Sequence, residues 1–70
     1  MQIQINGERE EVSDGLPLSE LITRLKLRAD QIAVELNRDV LRRSAWESTK
    51  LKSGDRVEIV HFVGGGFDFR

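Results

Sequence analysis

The chain opens on a strict alternation. Ile3 and Ile5 fall on one side of an extended segment and Gln2 and Gln4 on the other, the pattern of a half-buried strand. Asn6-Gly7 follows, two residues that tolerate positive φ and so favour a tight hairpin turn. Glu8 to Val12 reads as the return strand. Val12 is its only strongly apolar residue, so it is expected at a sheet edge, where charge discourages pairing with other chains. Ser13-Asp14-Gly15 breaks it. Leu18, Leu21, Ile22 and Leu25 then recur at the spacing of one helical stripe, which predicts a helix of about three turns. Pro17 suits its entrance. Glu20 near its start, and Arg24, Lys26 and Arg28 toward its end, carry the signs its dipole favours.

Ile32 to Asn37 is mostly apolar and predicts an interior strand. Asn37-Arg38-Asp39 turns the chain into a short strand at Val40 and Leu41. Ala45-Trp46-Glu47 reads as one turn of helix. Lys52-Ser53-Gly54-Asp55 is another turn, with the Asp55 carboxylate expected to accept from backbone N–H groups. Arg56 to Val63 is the last strand. This order predicts an α+β fold of β-grasp architecture: a mixed sheet of four to five strands with one main helix packed on one face. The first and last strands lie side by side and parallel, joined by the right-handed crossover such connections prefer. The other face is left for solvent or partners.

Half of the six glycines stand together at Gly64-Gly65-Gly66, directly after that strand. A backbone without side chains is slim and free in φ and ψ. It can thread a narrow channel and present a carboxylate to another protein's chemistry. The predicted organisation is a domain over 1–63, a glycine arm over 64–66 and an extension over 67–70.

Composition narrows the chemistry. The sequence holds no cysteine, which excludes disulfides, thiolate metal sites and cysteine nucleophiles together. A single His excludes a His-based metal cluster. Eleven basic residues against twelve acidic ones do not make the one-signed field of a nucleic-acid binder. No apolar run approaches the roughly 20 residues of a membrane span, and no leader pattern opens the sequence. A cytoplasmic protein is expected by default. No nucleophile–base pair suggests an independent enzyme.

Several segments together resemble the ThiS family, the small sulfur carriers of thiazole formation in thiamine biosynthesis. They are Val34-Glu35-Leu36-Asn37, Val40, Arg43, Trp46, Gly54-Asp55, Val57-Glu58-Ile59-Val60 and Phe62-Val63-Gly64-Gly65-Gly66. The resemblance covers residues 1 to 66, with its specific part in the C-terminal half. It implies a ubiquitin-like β-grasp fold, in agreement with the order of elements. It also implies a carrier and not a catalyst. A ThiF-type enzyme adenylates the carboxylate of the last glycine with ATP, a sulfur donor protein converts the adenylate to a thiocarboxylate, and a ThiG-type thiazole synthase takes the sulfur. No cofactor is expected to stay bound. Gly66 is the implied carrier residue, with Gly64 and Gly65 as its arm.

The sequence departs from the family pattern at Phe67-Asp68-Phe69-Arg70, which leaves Gly66 in a peptide bond. Removal by a protease, an added or altered end, and loss of carrier activity all remain open. Phe67 and Phe69 either fold back over apolar sheet or stay mobile, the second being preferred. Phe62, Val63, Arg43 and Trp46 are candidates for partner docking. Core packing competes for Trp46 and is preferred there. A solvated basic edge is preferred for Arg42, Arg43 and nearby Arg38. His61 is expected to face solvent. Two other functions compete: a carrier for molybdopterin synthesis, the MoaD family, and a β-grasp interaction module with an incidental tail.

Overall fold

The computed structural model describes residues 1–62. Val63, the glycine arm and Phe67 to Arg70 lie outside the described residues, so the arm is not placed; the last strand, expected to run to Val63, already ends at His61, one residue before the last described position. The described chain forms five strands, one α-helix and two single 3₁₀ turns. β1 spans Gln2–Ile5, β2 Glu8–Glu11, β3 Ile32–Leu36, β4 Asp39–Leu41 and β5 Arg56–His61; the helix α1 spans Leu18–Arg24. The 3₁₀ turns are Ala29–Gln31 and Arg43–Ala45.

All five strands join one sheet in the order β2-β1-β5-β3-β4. β1 pairs antiparallel with β2 and parallel with β5, and β3 pairs antiparallel with both β5 and β4. The expected β-grasp is therefore present, with β5, the last strand, at its centre. The fully exposed β2 is an edge, as its charge implied.

One sheet face carries the core. Ile3, Ile32, Val34, Val57 and Ile59 pack with Leu18, Leu21 and Ile22 of α1 and with Leu16, Trp46 and Leu51 from the connections. Ile3, Leu18, Leu51, Val34 and Val57 are the largest side chains shut off from solvent. Each such burial is worth about 1.5–3 kcal/mol in removed apolar surface.

The helix differs from its expectation. It has seven residues, about two turns at 3.6 residues per turn, and not three. Leu25 is its C-cap and is 39% exposed, so the stripe ends at Ile22. The cause is a Schellman closure. Lys26 takes φ 58°, its N–H donates to the Thr23 carbonyl at 3.0 Å, and the Leu27 N–H donates to the Ile22 carbonyl at 3.2 Å. Leu27 thereby replaces Leu25 in packing against the core. Of the three basic residues expected in the helix, only Arg24 lies inside it. Pro17 sits one place earlier than a first helical residue, at the N-cap with φ −65° and ψ 143°. The turn of helix expected around Trp46 begins earlier, at Arg43, with Trp46 as its cap. No helix among the described residues is long and apolar enough to cross a membrane.

Candidate functional site

The site is built on β5, because that strand leads to the glycines. Its alternation sends Val57 and Ile59 into the core and Glu58 and Val60 to the open face. There Val60 stands opposite Ala33, while Glu35 stands between Glu58 and Val40. Val40 is therefore a diagonal neighbour of Ala33 on the same face. Val60 is 51% exposed and Val40 46%, the two most exposed large apolar residues of the described chain. Together with Ala33 they leave an apolar strip on the side of the sheet away from the helix. Neither valine stands out in the sequence, where a strand valine reads first as core. The available signal was parity: Val60 lies two residues beyond Glu58 and shares its face.

Phe62 is half-buried, and its N–H donates to the Gln31 carbonyl at 3.1 Å. This carries the β3–β5 pairing one residue past the end of β5 and aligns the chain as it leaves the sheet. Gly64, Gly65 and Gly66 follow, outside the described residues, as does Val63. Arg43 is exposed at the start of its 3₁₀ turn, just after β4, and Arg42 and Arg38 on either side of β4 are exposed as well. Trp46 is placed differently. It is 4% exposed, belongs to the core and donates from Nε1 to the Leu41 carbonyl at 3.1 Å. The structure thus brings Val60, Ala33 and Val40 together on the open face, sets Phe62 just past the end of β5 and keeps the Trp46 ring inside. His61 is exposed.

Two hairpin asparagines hold β5 from opposite sides. Asn6, at φ 50° in the β1–β2 turn, accepts the Ile59 N–H at Oδ1 (2.7 Å) and donates from Nδ2 to the Ile59 carbonyl (3.3 Å). Asn37, at φ 52° in the β3–β4 turn, accepts the Arg56 N–H at Oδ1 (2.9 Å) and donates from Nδ2 to Asp55 Oδ1 (3.0 Å). Asp55 Oδ2 accepts the Lys52 N–H at 2.8 Å, the turn-capping role expected of it, and the residue is 6% exposed. Sequence reasoning saw Asn6 as a turn residue and Asn37 as a strand end, turn residue and part of the segment Val34 to Asn37, and gave neither a contact with β5. Their grip on β5 spans up to 53 residues of chain and has no local signature.

Among the described residues no group of three or more His, Cys, Asp or Glu could hold a metal ion. What the arrangement can do is fix the base of the chain's end and offer a partly apolar face beside it.

The description "ThiS family" belongs to the family model that matches residues 2–66. A crystal structure of the thiamine biosynthesis protein ThiS from Geobacter metallireducens superposes with a TM-score of 0.83 at 40% identity, covering 94% of this chain and 100% of that one. The sulfur carrier protein ThiS of Bacillus subtilis is 31% identical over 91% of this chain and 98% of its own length. A thiazole synthase of Magnetococcus marinus is 36% identical over 94% of this chain. The chain spans about a fifth of the length of that relative, 20%.

Proposed function

Because this chain belongs to the ThiS family, we propose that it is a sulfur carrier of thiamine biosynthesis and works through Gly66. The observation that carries this reading is the extent of the family match. It runs from β1 to the third consecutive glycine and stops there. In this role the chain is a protein co-substrate. The carboxylate of Gly66 attacks the α-phosphorus of ATP on an adenylating enzyme, and pyrophosphate leaves. A carboxylate is a poor acyl donor; the acyl-adenylate has a good leaving group. Sulfur delivered by a donor protein at the sulfide level then attacks the acyl carbon, the bond to AMP breaks, and a thiocarboxylate remains. With no cysteine in the sequence, no side-chain thiol competes for that sulfur. The name of the Magnetococcus marinus relative supports a thiazole synthase as the acceptor.

The architecture suits this work. Gly66 lies four positions beyond Phe62, a reach of at most about 14 Å at full extension. An activating enzyme must therefore bind close to the end of β5 if Gly66 is to enter its active site. The open face with Val40 and Val60 lies beside that end, with Arg43 following β4, and we assign docking to it. The chemistry needs a free carboxylate at Gly66, so Phe67 to Arg70 have to be removed first.

The test is intact mass. A chain ending at Gly66, given a ThiF-type enzyme, ATP and a sulfur source, is expected to gain the mass difference of one oxygen exchanged for sulfur. If the enzyme loads a carrier known to be competent but leaves this one unchanged, the proposal fails.

A further inference from the structure

We propose that Asn6 is a deamidation site, and that its conversion releases the end of β5 that Asn6 now holds. Asn6 is followed by Gly7, whose backbone nitrogen has no neighbouring side chain to hinder it; a Cβ built on Gly7 meets nothing within 4 Å. Asn6 itself is exposed. The Gly7 nitrogen, on losing its proton, attacks Cγ of Asn6. A C–N bond forms, the Cγ–Nδ2 bond breaks and ammonia leaves, giving a five-membered imide. Water then opens the ring to aspartate or to the isomer in which the chain runs through the former side chain. One water is consumed and one ammonia released, and no other reactant is needed.

In the folded chain Cγ is not free to meet that nitrogen. Its oxygen and its nitrogen are both engaged with Ile59, at 2.7 and 3.3 Å. Cyclisation therefore proceeds through states in which this clamp has opened, and the fold slows it. Conversion is also one-way. An aspartate still accepts the Ile59 N–H with one oxygen, but its second oxygen stands where Nδ2 was and opposes the Ile59 carbonyl, acceptor against acceptor. The isomer adds a methylene to the turn and moves the group away altogether. The aspartate thus loses the bond to the Ile59 carbonyl and the isomer loses both bonds, and β1 supplies no replacement, because it stops at Ile5. Asn37 is an internal control. It occupies the same left-handed turn position and also clamps β5, but Arg38 follows it in place of glycine.

The experiment incubates the full chain at mildly alkaline pH, folded and in urea, and maps Asn6 and Asn37 by peptide mass with heavy-oxygen water as the label. The expected result is label at residue 6, slower in the folded sample, with Asn37 intact. Amide exchange at Ile59 is measured in Asn6→Asp and in Asn6→Gly, which keeps the left-handed backbone and removes the clamp without adding charge. Asn6→Gly is expected to exchange roughly tenfold faster at Ile59 than the parent, the scale of one lost hydrogen bond, and Asn6→Asp, which keeps one oxygen on the Ile59 N–H, faster by less than that. The modification half is overturned if Asn6 survives in the folded chain after the urea sample has fully converted, or if Asn37 keeps pace with it. The release half is overturned if Ile59 exchange is the same in both variants as in the parent. Neither readout involves sulfur transfer, so its outcome is separate from that of the carrier reading.

Discussion

Three side chains illustrate how one residue can decide a local structure. Lys26 and Arg38 both sit at positive φ, 58° and 74°, where a Cβ is crowded and glycine is at ease. Lys26→Gly and Arg38→Gly are each expected to raise stability by about 0.5–1 kcal/mol, because the relief of backbone strain exceeds the entropy glycine adds to the unfolded chain. Urea unfolding of the two variants checks this; a lowered midpoint in both would remove strain as the explanation. Asp55 is the opposite case. It is buried and accepts from Lys52 and Asn37 with separate oxygens. Asp55→Ala leaves two donors without partners and is expected to cost about 2–3 kcal/mol, with Asp55→Asn intermediate. The Asp55 turn was legible because Gly-Asp is a local signal. The positive φ of Lys26 was not, since nothing in a lysine announces it, and the helix was read a turn too long as a result.

At the level of elements, periodicity carried most of the information. Alternation located β1, a mostly apolar run located β3, the turn at Gly54-Asp55 marked the start of β5, and the charge of β2 identified it as an edge. The sheet order follows from those strands and one crossover helix. Which valine a strand leaves outside was legible only through parity with a charged neighbour, as for Val60 and Glu58. β5 makes the distinction testable with adjacent residues. Ile59 is 8% exposed and in the core, and Val60 is 51% exposed on the open face. Ile59→Ala should cost about 2–4 kcal/mol as a core truncation. Val60→Asp should stay within about 1 kcal/mol of the parent, because no buried apolar contact is lost. If the open face docks the activating enzyme, the ordering reverses for function. Val60→Asp then raises the concentration of carrier needed for half-maximal adenylation, while folded Ile59→Ala does not. A Val60→Asp variant that loads as readily as the parent would move docking elsewhere.

For the whole molecule, the division of labour between a rigid sheet and a side-chain-free arm sets the strongest expectation. The family and the fold were legible because the specific segments, Val34 to Asn37 and Val57 to Gly66, lie on adjacent central strands and the arm that continues one of them. The reach of the arm and the state of Gly66 were not, because they depend on what happens beyond residue 62. Stability and carrier activity should therefore separate cleanly. A chain ending at Gly66 and one continuing to Arg70 should unfold at the same urea concentration, since the core found among the described residues lies wholly before Phe62. Only the shorter one should accept AMP, because only it offers a free carboxylate after the third glycine. Gly65→Ala in the shorter chain should likewise leave the unfolding midpoint in place and slow loading, through bulk added where the backbone must pass a narrow channel. Restoring growth without thiamine to cells that lack their own carrier gives the same comparison in vivo. Equal rescue by a protease-resistant full chain and by the trimmed one would place the working group somewhere other than Gly66.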